Sequence, residues 1–308
     1  MSDLAIGMAL PTMAGELETP GIGGVADAAR HVERLGLESV WVPDLIAGDG
    51  APVLEATVAL AAAAAVTARV GVGFSVLVLP LRPVALTAAQ IQTLQHVSGN
   101  RVLLGVGSGA SSGTPFWQAV GGSPRGRGRR TDAALEVLPQ LIAGAPTRLV
   151  DEPGQPVVTL APSAPVPPIL VGGGDSDVAL RRAAIRADGW FPSLLTPDRL
   201  AVGVAKLRQL AVERGRPTPT VTVGIHAVLG TDQTARSARD ALVRDLMDGP
   251  GMSPEQAAIT VVTGSPRQAA ERFAAYAAAG ADRLVIAPTG RDWMRRCDLV
   301  AEANAMLG

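Results

Sequence analysis

A chain of 308 residues with 47% hydrophobic content can bury a sizeable core, as one large α/β domain or two smaller ones. Its 27 basic and 28 acidic residues and pI near 6.3 give no electrostatic reason for nucleic acid or an anionic membrane as partner. Aromatic content of 3% leaves no stacking platform for single-stranded nucleic acid, and the single cysteine, Cys297, excludes an intramolecular disulfide and a Cys-rich metal site. What remains is a soluble globular protein acting on a small molecule.

The first residues, MSDLAIGMAL, carry no basic segment before an apolar run, so no export signal is read there and a reducing cytoplasm is expected. Residues 4–10 form a short buried strand ended by Pro11. Val25, Ala29 and Val32 recur at helical spacing up to Gly36, a C′ cap. Residues 37–42 are a second strand that stops at Pro43-Asp44, and Pro52 opens an alanine-rich helix through Thr67. The most apolar run, 70–81, is too short to cross a bilayer as a helix and holds the third strand. Pro83 opens a helix closed by Gly99, and residues 101–106 are a fourth strand with the exit GVGSGASSG.

Residues 132–142 look helical despite Pro139. From 144 to 168 proline dominates, with 147–150 and 157–160 as a hairpin, an insertion in the main fold. Regularity resumes with a strand at 169–171 running into Gly172, Gly173 and Gly174. Asp175 or Ser176 caps the next helix, and Trp190-Phe191 begins another strand. Helices at 197–214, 235–247, 266–279 and 292–307 surround strands at 221–225 and 283–287. Eight strands, apolar on both faces and separated by helices, imply a closed (β/α)8 TIM barrel, with all of 1–308 as one domain. Ligands of such barrels sit at the C-terminal strand ends, which here carry Asp44, Ser75 to Leu79, Gly105 to Gly113, Gly172 to Asp175, Ser193 and His226.

Several of these have a chemical and a plain reading. Gly172-Gly173-Gly174-Asp175, at a strand end and helix start, offers side-chain-free amides to a phosphate, or is an ordinary βα turn. Asp44 is either a site acid or a turn former after proline. His226 shares parity with Thr222 and Gly224, opposite Val221, Val223 and Ile225; it is a proton donor or substrate-orienting group, or a hydrogen-bonded structural histidine. His31 and His96 lie in amphipathic helices, and no metal motif is present. The run Arg125, Arg127, Arg129 and Arg130 is a solvated charge cluster or a site for an acidic tail or phosphate. Serine-nucleophile and Walker motifs are absent, so the chemistry must come from a bound cofactor.

The ordered set LGLESVWVPD, GFSVLVLPLRPVALTAAQIQTLQHVSGNRVLLGVGSG, GRRTDAALEVLPQLIAG, PPILVGGG, ADGWF and GSPRQAAERFAAYAAAGADRLVI resembles the bacterial luciferase-like monooxygenase superfamily over residues 4–288. That resemblance implies a TIM barrel with an insertion, using FMN or the deazaflavin coenzyme F420. It places Gly107, Ser108 and Gly109 beside the ring, and Ser75-Val76 where deazaflavin users often have a non-prolyl cis peptide. The oligoglutamate tail of F420 gives Arg130 and its neighbours a specific use. Sugar-phosphate dehydrogenases of the family have a histidine where Leu45 stands, a glutamate where Ala110 stands and an asparagine where Gly113 stands, so that chemistry is excluded. The reading is an F420-dependent oxidoreductase passing hydride between reduced deazaflavin and a small organic substrate, a homodimer by resemblance. Its alternatives are an FMN-dependent monooxygenase served by a partner flavin reductase, and a flavin-binding barrel without turnover.

Overall fold

A computed structural model describes residues 4–13, 16, 24–109, 115–249, 251–290 and 292–307. In chain order the first half runs β1 (Ala5–Ala9), α1 (Val25–Arg34), β2 (Ser39–Val42), α2 (Ala56–Ala65), β3 (Gly71–Phe74), β4 (Leu77–Val78), α3 (Val84–Ser98), β5 (Val102–Gly107), α4 (Phe116–Ala119) and α5 (Arg127–Ile142). Then follow β6 (Thr147–Arg148), β7 (Val157–Val158), β8 (Ile169–Gly172), α6 (Asp177–Arg186), β9 (Gly189–Phe191), α7 (Pro197–Glu213) and β10 (Thr220–Leu229). The last elements are α8 (Gln233–Asp248), α9 (Pro254–Thr260), β11 (Val262–Gly264), α10 (Pro266–Ala278), β12 (Arg283–Pro288) and α11 (Trp293–Ala305).

Parallel pairing runs β1, β2, β3, β5, β8, β9, β10, β12 and back to β1, which closes an eight-stranded barrel as the alternation of apolar strands and helices predicts. Outward residues such as Ile6, Met8, Val72, Leu104, Val171, Val223 and Ile286 are buried under the helices. The inward face is built differently. Trp41, Leu170, Phe191 and Val285 form their own cluster, with the Trp41 and Phe191 rings edge to face at 5.2 Å. Glycines make room for that tryptophan: a Cβ on Gly7 would lie 2.5 Å from Trp41 Nε1, and one on Gly73 would overlap its six-membered ring. Below it Arg283 closes the floor, pairing with Glu38 at 2.8 Å, donating to Thr222 and lying 5.9 Å from the Trp41 ring.

Four boundaries differ from the sequence expectation. Helix α2 starts at Ala56, capped by Glu55 accepting from the Val58 N–H at 2.8 Å, because Val53 is held in a bridge with Met13. Helix α5 begins at Arg127, so three of the four clustered arginines are helical, and Pro139 is accommodated inside its last turns. The third strand breaks between Phe74 and Leu77. The expected hairpin is there as β6 and β7, antiparallel with Thr147 opposite Val158, but of a second excursion, between β10 and α10, the sequence expectation holds only the helix at 235–247. It comprises α8, α9 and β11, packs on its own small core of Val228, Leu242, Leu246 and Val261, and hangs from the far end of β10 through Ala227 opposite Val262. Two of its elements, seven and three residues long, are too short to register as hydrophobic periods.

No described helix is long and apolar enough to cross a membrane.

Candidate active site

The C-terminal mouth is organised by the break in the third strand. Ser75 N–H still bonds Val42 O at 2.9 Å, the Ser75-Val76 peptide is cis, and the chain rejoins the sheet as β4, Leu77 opposite Val106 and Val78 opposite Gly107. Val76 thereby projects across the mouth. A Cβ on Gly107 would lie 2.7 Å from a Val76 methyl, one on Gly172 would lie 3.0 Å from both methyls, and one on Gly105 would run into Phe74 O. These three glycines are fixed by close approach of the bulge; at Gly107 the space of a side chain is taken by Val76 rather than left to a ligand.

Asp44 locks the exit of the bulge. Its Oδ2 accepts from the Val78 N–H at 2.9 Å, and Arg82 donates to both carboxylate oxygens at 2.5 and 3.0 Å. The Asp44 side chain is 1% exposed and that of Arg82 12%. Burial works against the Arg82 charge, but the hydrogen bond and charge of Asp44 outweigh it and leave the guanidinium pKa raised. Asp44, expected as a site acid, is engaged through both oxygens as the anchor of the bulge.

The inward positions above the Trp41 and Phe191 layer are Ala9, Ser75, Val76, Gly107, Gly172, Ser193, His226 and Ala287. Most of these small side chains retain partial exposure, unlike the buried layer beneath, so a cup opens to solvent there. His226 sits on β10 opposite Ala287, with Gly224 on the same face against Phe191 and Ser193, which settles its inward parity. Its Nδ1 is buried and has no hydrogen-bond partner, and burial lowers the imidazole pKa below 6.5, keeping the ring neutral near pH 7. It is the one titratable side chain in this set.

Opposite, β8 ends at Gly172. Gly173 has φ +142°, a conformation that favours glycine, and a Cβ there would press on Ala179 at 2.9 Å. Gly174 faces open space, with nothing within 4 Å of the point where a Cβ would stand. Ser176 caps α6, accepting from the Ala179 N–H. Asp175, expected to face the cofactor, is instead gripped by Arg199 at 2.7 and 3.0 Å, and Asp177 is held by Lys206. Pairing removes most of the repulsion these acids would exert on an anion at the helix start.

The remaining expected residues divide. Ser108 is partly exposed at the β5 exit, and Gly109 packs its backbone against Trp117 and Val78, where a Cβ would be 3.0 Å from each. Arg130 does not reach into the mouth: its guanidinium donates to the carbonyls of Ser123 and Arg125 and ties that loop down. Leu45 is 50% exposed, while Ala110 and Gly113 lie outside the described residues. Among the described residues no His, Cys, Asp and Glu cluster could hold a metal, and Cys297 is buried with its thiol pKa pushed up by burial. Sequence reasoning misses Arg82 and Arg199, although it singles out their partners Asp44 and Asp175, and it misses the wall formed by Ala9 and Ala287; strict alternation between paired strands, counted across from His226, points to Ala287.

A family model for luciferase-like monooxygenases matches residues 5–283. The chain belongs to that family. An uncharacterized protein of Mycobacterium tuberculosis is 37% identical over 214 residues, 62% of this chain and 72% of that one. Among solved structures, an F420-dependent secondary alcohol dehydrogenase in complex with an F420-acetone adduct superposes with TM-score 0.81 at 18% identity, covering 99% of both chains. The oxygenating constituent of 3,6-diketocamphane monooxygenase from a Pseudomonas putida plasmid, in complex with FMN, gives 0.73 at 18% over 99% of this chain and 98% of that one. At such identities both matches establish the luciferase-like fold. Family membership makes the chain an oxidoreductase.

Proposed function

We propose that this luciferase-like protein is a coenzyme F420-dependent oxidoreductase that moves a hydride between the deazaflavin and a small organic substrate. The observation that carries the reading is the cup itself: a glycine-backed bulge at Val76, an open Gly174, and a single neutral imidazole with an orphaned Nδ1. The partly exposed edge of that ring is the polar group that a ligand in the cup would meet. Val76 and the inward wall would hold a flat, largely apolar ring, and the amides of Gly172 to Asp175 would hold its phosphate.

When bound, the cofactor supplies or accepts the hydride. The chain's own contribution is position and one proton. Val76, Phe191 and Trp41 exclude water from below, and Ser75, Ser193 and Ala287 shape the substrate space. His226, kept neutral by burial, presents a nitrogen that accepts a hydrogen bond from a substrate hydroxyl and takes its proton as the hydride leaves. In the opposite direction the same imidazole returns that proton to the substrate oxygen. The superposing structures hold F420 in one case and FMN in the other, and the better superposition is with the F420 enzyme. The chemistry of one neutral base suits hydride transfer to or from an alcohol-type carbon. In this reading the partners are a small-molecule substrate and a second copy of the chain.

The test is quenching of F420 and FMN fluorescence by the purified protein, repeated with Gly174→Asp. This position accepts a side chain without strain, which Gly173 does not. A carboxylate set against the phosphate is expected to weaken F420 binding about tenfold or more. Unchanged affinity overturns the phosphate assignment. Quenching of FMN alone transfers the protein to the monooxygenase reading, and quenching of neither defeats the cofactor assignment.

A further inference from the structure

A second cavity, separate from the cup, opens where β10 and β12 hand over to their helices. Its volume is about 430 Å³, and its wall includes Gly230, Thr231, Asp232, Ser265, Asp292 and Arg296. Asp232, Ser265 and Asp292 are the N-caps of α8, α10 and α11, so three helices of 13 to 16 residues start at this one cavity. Each brings the positive end of its dipole. Arg296, only 7% exposed, adds a full positive charge.

That guanidinium is under-partnered. It donates to Leu229 O, and its buried Nε has no acceptor among the described residues. Gly230 and Gly290 flank it closely, a Cβ on either coming within 3.2 to 3.4 Å of its nitrogens. The two nearby acids are already committed: Asp232 accepts from the Ala235 N–H at 2.7 Å and Asp292 from the Arg295 N–H at 3.2 Å. No carboxylate forms an ion pair with Arg296 among the described residues, and burial lowers its pKa although the charges of Asp232 and Asp292 act the other way, so an anion at the guanidinium would add to an incomplete balance. Arg295, on the same rim, balances one of the two caps.

We propose that this cavity is a binding site for a phosphate-class anion, held by Arg296 and the helix starts of α8, α10 and α11. It stands independently of the phosphate assigned to Gly172 to Asp175 and of the choice between F420 and FMN. The site lies three residues beyond His226 along β10, roughly 10 Å at 3.3 Å per residue. A phosphorylated substrate could therefore be anchored here with its reacting carbon in the cup, or free phosphate could bind alone.

The experiment follows thermal unfolding of the full chain during titration with inorganic phosphate at constant ionic strength set by chloride. Binding to the native state raises the midpoint in a saturable way. Thr231→Asp places a carboxylate on the exposed rim without disturbing packing. It is expected to leave the midpoint without phosphate unchanged and to weaken phosphate binding about tenfold. Gly174→Asp reports on the cradle at Gly172 to Asp175: the part of the wild-type shift that Gly174→Asp retains and Thr231→Asp loses belongs to this cavity. No saturable shift in the wild type, or an equal shift in Thr231→Asp, overturns the proposal. If Thr231→Asp also weakens F420 or FMN quenching, the phosphate belongs to the cofactor; if cofactor binding is unaffected, the site serves substrate or free phosphate.

Discussion

Replacing Asp44 by alanine is the sharpest test of how the bulge is held. The variant removes the acceptor of the Val78 N–H at 2.9 Å and both acceptors of Arg82, whose side chain is 12% exposed. Breaking one side of a buried pair costs about 3–5 kcal/mol, because the surviving charge stays buried. Arg82 retains weaker contacts to Glu55 at 3.5 Å and to Val78 O at 3.3 Å, which favours the lower end, about 3 kcal/mol. Asp44→Asn keeps an amide oxygen for Val78 but loses the charge, so it should fall between wild type and Asp44→Ala. Asp44→Ala combined with Arg82→Met removes the stranded cation and should recover part of the loss. Urea unfolding gives the ranking, and fluorescence quenching by each folded variant shows whether the cup survives. If Asp44→Ala lies within about 0.5 kcal/mol of wild type, the anchoring role is wrong.

Two further perturbations probe the mouth. Gly107→Ala sets a methyl 2.7 Å from Val76 Cγ2 and should destabilise by about 1–3 kcal/mol, with the Val76→Ala background restoring stability to the double variant in the same urea assay. His226 has a folded pKa depressed below its 6.5 reference by burial, so the unfolded chain binds a proton first as pH falls. The stability it contributes is full above pH 6.5 and declines below it; His226→Gln should flatten the stability profile between about pH 7 and 5, measured by urea midpoints, and an unchanged slope would contradict a neutral buried ring.

The barrel was legible because its signal is redundant. Eight apolar runs separated by helical periods specify a parallel sheet with both faces covered, and errors of a few residues at any boundary leave the count intact. The excursion from 233 to 264 carried no such redundancy: α9 and β11 are fixed by contacts with Val228 and by the length of β10, which are tertiary facts. The site was legible by position and poorly legible by role. Asp44, Asp175 and Arg130 stand where site residues were expected, yet each has found a partner in Arg82, Arg199 or a loop carbonyl. A sequence shows that a charge is present near the mouth, whereas the arrangement of neighbours 24 to 38 residues away decides whether that charge is available.

His226 and the glycines run the other way, and together they explain why a barrel of this kind needs so few polar groups. The inward layer below the mouth is filled by Trp41 and Phe191, which only fit because Gly7, Gly73 and Gly105 carry no side chains. Filling the barrel from one large ring leaves the next layer up to be made of alanine, serine, glycine and a bulged valine, a floor of small and mostly apolar groups. On such a floor a charged side chain would be buried without a partner, and the nearby Asp44 and Asp175 are withdrawn into ion pairs. One imidazole, kept neutral by its burial, is the titratable group that this arrangement tolerates among the inward positions of the mouth. The sparse chemistry of the mouth is thus a consequence of its packing, and a variant that adds a carboxylate at Ala287, beside His226, should raise the imidazole pKa and shift the pH dependence of turnover upward.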